Sequence, residues 1–363
     1  MFKHGLVFLM AAASGVVADV SANPVRSSPT RPATVIDQPK PVPAEKEETK
    51  AAAPVARKSA VKYVEIAEVS ALHGLELSWP EPQRRLELTN AEHRIEIEVG
   101  SRNMRVDGLR VFLGDPARLV QGKAQVSQVD AERLFMGLLA PVAMGKGREL
   151  KVVAIDPGHG GPDTGTENKA LGLREKIFAL DVSLRLKRVL EAKGYRVVMT
   201  RETDIDVGKG ARAIIANQAG ADVFVSVHFN SVLNDTKTRG AEVFTFAPQF
   251  QRSTNAWGPG QPDDTEALPA PVNRFDALSV ACAHAIHGAL LKSLKAEDRG
   301  QKVGHWAVLR ALNCPGVLIE AGFLSNEAEG KLIATPEYRR QIAEAIAEGL
   351  VAYGAKVAGA EKK

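Results

Sequence analysis

The sequence predicts an α/β protein: an open, twisted, mostly parallel sheet covered by helices, preceded by a small strand-rich α+β domain. Three observations carry this. Apolar strand-like runs recur at Val152–Ile155, Asp222–Val227 and Pro315–Ile319. Helical spacing fills the interval between the first two, with Ile177, Leu180, Leu184 and Leu190 at near-helical steps. Upstream, short alternating runs such as Arg94-Ile95-Glu96-Ile97-Glu98-Val99 read as half-buried strands. Strand and helix in alternation build a sheet with helices on its faces.

The elements follow in order from the N-terminus. Met1-Phe2-Lys3-His4 is a short basic start, and Gly5 to Val17 is mostly apolar. That run is shorter than the roughly 20 residues a membrane span needs. Small residues follow, so residues 1–22 read as a secretory signal cut after Ala18 or Ala22. The expected location is the periplasm or cell envelope. No cysteine lies near the signal, which argues against a lipid anchor, and no later stretch reads as a membrane span. Residues 23–59 are rich in Pro, Ala, Lys and Glu, a composition that cannot build a core and reads as a disordered linker.

Residues 60–145 form the expected small domain, with strand-like Tyr63-Val64-Glu65-Ile66 and a helix over Val129–Leu139 that stops before Ala140-Pro141. Residues 148–356 form the larger domain. Tyr195–Met199 and Ala241–Phe246 complete its strands, and Arg274–Leu294 and Pro336–Tyr353 are its long helices. A chain starting near Gly147 is expected to fold alone. The formal net charge of +4 over 363 residues is mild. It suits an anionic polymer and gives no reason to expect nucleic acid. Cys282 and Cys314 can pair in an oxidising compartment or stay as small buried residues.

The chemistry sits at the ends of these elements. The first apolar run breaks at Asp156-Pro157-Gly158 and presents His159; the second ends at His228; the third ends at Glu320; Glu175 opens the helix between the first two. Each has an ordinary reading: a turn histidine, or an acidic first turn that suits the helix dipole. A buried carboxylate after an apolar strand is harder to dismiss, since unpaired buried charge is costly. Strand ends of an open α/β sheet converge on one edge, where such folds keep their sites. Two histidines and a carboxylate with an open position form a catalytic zinc site, and a further carboxylate beside it serves proton transfer. The Gly-rich turn lacks a following Lys-Ser/Thr pair and GxGxxG spacing, which argues against a nucleotide. His284 and His287 sit three apart on a helix without the glutamate of HExxH, and read as a helix face.

Val152 to about Tyr353 resembles the zinc-dependent N-acetylmuramoyl-L-alanine amidases of the type 3 amidase family. The matching blocks run in order: Asp156-Pro157-Gly158-His159-Gly160-Gly161 with Asp163-Thr164-Gly165; Glu175-Lys176; Thr200-Arg201 with Asp204; Arg212 with Ala216-Asn217; Ser226 to Ser231; Gly240-Ala241-Glu242-Val243; Val308-Leu309-Arg310; and Glu320 to Asn326. The resemblance implies one zinc per chain held by His159, Glu175 and His228. It implies Glu320 as catalytic glutamate and peptidoglycan as partner, with hydrolysis between N-acetylmuramic acid and L-alanine. Asn230 and Arg310 are candidates for orienting substrate. The chain is expected to be a monomer, with any activator unidentified. The alternatives are a zinc peptidase acting within the stem peptide, and a non-catalytic wall-binding or regulatory protein.

Two regions need separate expectations. Ser101 to Gly108 with Val111 to Asp115 resembles the small N-terminal module of copper amine oxidases, but His73 and His93 are isolated and make no metal motif. A positioning role is expected for it. Between Pro248 and Pro271, Gly and Pro are too dense for the inhibitory helix that some relatives of the amidases carry here. Trp257 in this loop offers a stacking face, and Asp263-Asp264 reads as solvated. The loop should leave beside the metal edge if the strand before it runs parallel to its neighbours.

Overall fold

A computed structural model describes residues 61–145, 149–257, 260–261 and 263–359. The signal and linker expectations lie outside the described residues. The first part contains β1 (Tyr63–Glu65), α1 (Ile66–Leu72), β2 (Glu76–Glu81), β3 (Arg85–Thr89), β4 (Arg94–Glu98), β5 (Asn103–Val106), β6 (Leu109–Phe112), β7 (Arg118–Val120) and β8 (Lys123–Ser127). A helical run follows: α2 (Gln128–Asp130), a π turn (Ala131–Phe135), α3 (Met136–Leu139) and α4 (Pro141–Gly145). Alternation works as expected in β3 and β4, where Leu86, Leu88, Ile95 and Ile97 face inward. It breaks after Glu65: Ile66 starts α1 and buries itself with Val69, because i, i+3 spacing takes over from period two.

The second part contains β9 (Val152–Pro157), the short β10 (Glu167–Asn168) and β11 (Leu173–Arg174), α5 (Glu175–Ala192), β12 (Arg196–Met199), α6 (Lys209–Gln218), β13 (Val223–Asn230) and β14 (Ala241–Phe246). It continues with α7 (Asp276–Leu294), β15 (Asp298–Gly304), α8 (Ala307–Arg310), β16 (Gly316–Phe323), α9 (Glu327–Ile333) and α10 (Pro336–Ala358). Thr335 caps α10 by accepting from the Tyr338 backbone N–H, Pro336 starts its first turn, and Gly359 closes it in the left-handed conformation.

An eleven-stranded sheet runs β12-β9-β13-β16-β14-β15-β6-β5-β4-β3-β2. β12, β9, β13 and β16 are parallel; β14 runs against β16 and parallel to β15; β6 to β2 form an antiparallel meander. Val153 and Ile155 of β9 face α5, α7 and α10, where Val182, Ile286 and Leu350 are fully buried. Ala154 faces the other way, with Phe224, Phe244, Ala213 of α6 and Leu309 of α8. The expected open α/β sheet and the strand-rich region before it are both present.

Several expectations need correction. β15 was not expected as a strand, since Asp298-Arg299-Gly300-Gln301-Lys302-Val303-Gly304 carries one large apolar residue; buried polar pairing holds it in the sheet instead. Because β14 is antiparallel to β16, with Glu242 opposite Glu320 and Phe244 opposite Leu318, the loop after Phe246 leaves at the end away from Glu320. Pro271–Leu294 is long and apolar enough to cross a membrane by length and composition, contrary to the expectation of no such stretch; it packs as a core helix, with Val280, Ile286 and Leu290 buried. Its first turn is 3-10 (Pro271–Phe275) rather than part of one α-helix. Cys282 and Cys314 are both buried, and no disulfide joins them.

The expected boundary falls in residues 146–148, outside the described residues, yet the sheet continues across it through β6 and β15. Val280 of α7 belongs to the apolar core of the first part. Gly137 of α3 lies so close to α7 that a Cβ there would come 2.3 Å from the Ala277 carbonyl oxygen. All described residues belong to one compact unit.

Candidate metal centre

β9 runs apolar to Ile155 and then turns at Asp156-Pro157-Gly158, delivering His159 beyond the sheet edge. Asp156, fully buried, accepts from Thr200 Oγ1 (2.5 Å), Ser226 Oγ (2.7 Å) and Arg212 Nη1 (2.8 Å), which fixes the strand end. His159 has φ of 60°, a left-handed conformation that non-glycine residues resist. Two buried arginines hold it there. Arg201 donates to the Pro157 and Gly158 carbonyls at 3.1 and 2.7 Å; Arg212 donates to Pro157 and His159 at 2.7 and 3.0 Å. Backbone strain kept by surrounding contacts is characteristic of functional sites.

Glu175, first residue of α5, is buried between the two histidines. Its Oε1 lies 2.9 Å from His228 Nδ1 and accepts from the Phe229 N–H at 3.1 Å; its Oε2 lies 3.1 Å from His159 Nε2 and accepts from the Thr166 N–H at 2.8 Å. The imidazoles meet edge to face, centroids 5.0 Å apart. One donor atom from each of His159, Glu175 and His228 lies within 4.8 Å of the others, the one such group of three among the described residues. Burial works against a charged Glu175, but the hydrogen bonds and charges of the two histidines overcome it and hold its carboxyl well below the usual range. Asp163 Oδ2 lies 2.9 Å from His159 Nδ1, an outer carboxylate that turns Nε2 toward the cluster. The neighbourhood leaves room only for glycine: a Cβ on Gly158 would meet the His228 ring at 2.3 Å, and one on Gly165 would meet Glu175 Oε2 at 2.5 Å. Donor set and cradle both fit a divalent cation that takes nitrogen and oxygen ligands.

Glu320 of β16 stands opposite His228 in the parallel register, 7% exposed, and its Oε2 has no hydrogen-bond partner. Burial, then the negative charges of Glu175 and Glu242, push its carboxyl well above the ordinary range. A carboxyl at which the neutral form is favoured in this way has the chemistry of a general acid–base group. Glu242 on β14, its register neighbour on the other side, is 1% exposed. It accepts from Lys302 Nζ (2.5 Å), Arg299 Nε (3.3 Å) and Asn230 Nδ2 (2.7 Å).

A cavity of about 650 Å³ opens over these groups, with His159, Glu175, His228, Asn230 and Glu320 in its wall. Thr166, Lys209, Trp306, Val308 and Leu318 also line it. The structure therefore brings five of the seven expected residues together. Arg310 and Trp257 are elsewhere. Arg310 pairs with Glu266, one nitrogen at 2.6 Å, and lies over Phe246. Trp257 packs against Arg102 and Arg252, whose guanidinium carbons lie 4.6 and 5.3 Å from its ring centroid. The loop's carboxylates are engaged: Asp264 with His305 and Ser253, and Asp263 near Arg252. The sequence marks no role for Lys302 or Trp306: Lys302 lies in a strand with no apolar signature, and Trp306 in no motif; the lone charged residue between Gln301 and Val303 is the available signal for the first.

Comparison with known proteins identifies the family. The family model described as N-acetylmuramoyl-L-alanine amidase matches residues 153–352, and that described as copper amine oxidase N-terminal domain matches 44–132. The chain is 32% identical over 228 residues to N-acetylmuramoyl-L-alanine amidase AmiC of Neisseria meningitidis, covering 58% of this chain and 54% of that protein. It is 30% identical over 220 residues to the germination-specific N-acetylmuramoyl-L-alanine amidase of Bacillus subtilis, covering 56% and 79%. A crystal structure of N-acetylmuramoyl-L-alanine amidase from Clostridium difficile 630 aligns over 57% of this chain and 97% of that one, at 31% identity and a TM-score of 0.47. The chain spans about half the length of the Neisseria protein, 54% of it.

Proposed function

Because this chain belongs to the N-acetylmuramoyl-L-alanine amidase family, we propose that it is an exported peptidoglycan hydrolase. It cuts the amide between the lactyl group of N-acetylmuramic acid and L-alanine, using one zinc ion held by His159, Glu175 and His228. The observation that supports this best is the convergence of those three side chains within 4.8 Å beside the buried Glu320, whose Oε2 has no hydrogen-bond partner. When bound, zinc supplies Lewis-acid activation of the water and of the scissile carbonyl.

The chain's own groups do the rest. Glu320 takes a proton from the attacking water at its free Oε2 and passes it to the leaving nitrogen as the C–N bond breaks. The products are a lactyl carboxylic acid on the glycan and a free amine on L-alanine. Asp163 keeps His159 in the tautomer whose Nε2 faces inward. Asn230, held by Glu242, keeps one amide proton for the substrate. Residues 1–22 would direct export and 23–59 would tether the enzyme; 60–145 would act as an accessory module to the 148–356 catalytic region.

Metal removal tests the reading. A chelated preparation should lose amidase activity on purified peptidoglycan, and one equivalent of zinc per chain should restore it. Full turnover by a stoichiometrically metal-free protein would end the proposal. N-terminal sequencing of the exported protein, expected to begin at Asp19 or Asn23, tests the signal.

A further inference from the structure

Beyond the metal centre and the cationic Lys209, the cavity has two kinds of lining. Thr166 and Asn230 give a polar surface at the end of β13, where Thr166 Oγ1 lies 3.2 Å from Ser231 Oγ. Trp306, Ala307, Val308 and Leu318 give an apolar, uncharged surface over β14 and β16. We propose that Trp306 is a specificity-determining residue: its ring takes the sugar ring of the muramoyl group, and the loop residues 251–257 with Asp264 are the strap that holds it in position. This deepens the amidase reading and rests on it.

The chemistry of the substrate decides which half lies on this wall. On the acyl side of the scissile amide is a hexose whose face presents C–H groups. On the amine side is a peptide that carries carboxylates. An uncharged aromatic face suits the first and offers nothing to the second.

The ring is fixed before substrate arrives. Phe244 meets it edge to face at 5.2 Å, and Gly304 lies so close that a Cβ there would come 2.5 Å from Trp306 Nε1. A rigid aromatic anchor costs little entropy on binding. Its neighbours are pinned by the strap. Thr254 Oγ1 accepts from the Val303 N–H at 2.9 Å; Ser253 Oγ accepts from the His305 N–H at 3.2 Å; Asp264 Oδ2 lies 3.3 Å from His305 Nδ1. The strap is tied in turn to the first part of the chain. Arg102 Nη1 donates to the Thr254 carbonyl at 3.3 Å, and Gln251 Nε2 donates to Asp130 Oδ1 at 3.2 Å. Trp257 under Arg102 completes that anchor. A long loop in a compact unit calls for a function, and bracing Trp306 from behind supplies one.

The test compares two substrates with the same amide: a disaccharide tetrapeptide and a lactoyl tetrapeptide without sugar. The zinc-loaded full chain should prefer the sugar-bearing one in kcat/KM. Trp306→Ala should lower that preference by about tenfold or more, and Trp306→Phe should keep most of it. A preference unchanged in Trp306→Ala, or absent from the wild type, overturns the inference. A binding arm needs no turnover: the disaccharide should change the intrinsic fluorescence of the wild type, and much less that of Trp306→Phe. Equal changes in both also overturn it. Failure of the amidase reading looks different, since the wild type would then release no stem peptide from either substrate or from intact peptidoglycan.

Discussion

The two ends of the long sheet treat buried charge differently. Around β9, β13, β14 and β16 the interior holds Asp156, Glu175, Glu242, Glu320, Lys302, Arg201 and Arg212, all buried. Around β3 to β6 the buried side chains are apolar, and the first part's buried ionic residues are Asp130 and Arg133. Removing charge from water costs several kcal/mol per ion, so a fold concentrates it where something other than stability is gained. At the first end the charges surround the candidate metal centre and Glu320. At the other, Asp130 accepts from the Gly114 N–H, Arg133 and Gln251, so it marks where the first part grips the strap. Buried charge thus points to the site in one region and to the junction in the other.

The largest expected effects come from breaking the charged end. His159→Ala and His228→Ala should lose zinc and activity together, read by metal analysis and peptidoglycan hydrolysis on the same samples. Glu320→Ala should keep zinc and lower kcat by about 10²–10⁴-fold, the usual worth of general acid–base catalysis. If Glu320→Ala lost its metal as well, Glu320 would be a ligand and the roles drawn here would change.

The junction should respond in stability rather than chemistry. Gly137→Ala must push α3 from α7 and should destabilise by about 1–3 kcal/mol, as overpacking does. Denaturant melts would read it, and an unchanged midpoint would show that the helices separate freely. A chain starting near Gly147 would expose Val280 and the β15 edge. It should melt at least about 5 °C lower than the full chain, if it folds at all; an unchanged melting temperature would bear out the expectation of an independent catalytic domain instead.

The effect that shows only as a pH dependence lies at Asp276, in the first turn of α7. Burial outweighs the nearby Arg133 and the Asn273 hydrogen bond and pushes its carboxyl up to about 7. A carboxyl raised on folding binds its proton more tightly in the native state, so folding loses stability as pH rises from its unfolded value to about 7. Asp276→Asn should gain stability relative to wild type as pH goes from about 4 to about 8. A difference independent of pH would mean that Asp276 is not raised.

Much of the site was legible in the sequence because its residues follow apolar strands directly. His228 and Glu320 need only the strand periodicity and the convergence of parallel strand ends to be brought together. The antiparallel β14 was not legible, because Ala241–Phe246 is buried throughout and carries no directional signal. β15 was missed because its lysine and glutamine are buried by pairing with β14 and α7, a tertiary compensation that local pattern does not record. Trp257 stands out in the sequence as a tryptophan on a Gly-Pro loop, while Trp306, behind a glycine and a histidine, has no such context.

The most direct test of the central claim is mass spectrometry of what the zinc-loaded full chain releases from purified peptidoglycan. The account predicts intact stem peptides with a free L-alanine amine, and glycan strands that keep a lactyl carboxylic acid. Fragments cut inside the stem peptide, or strands cut between sugars with the peptides still attached, would contradict it.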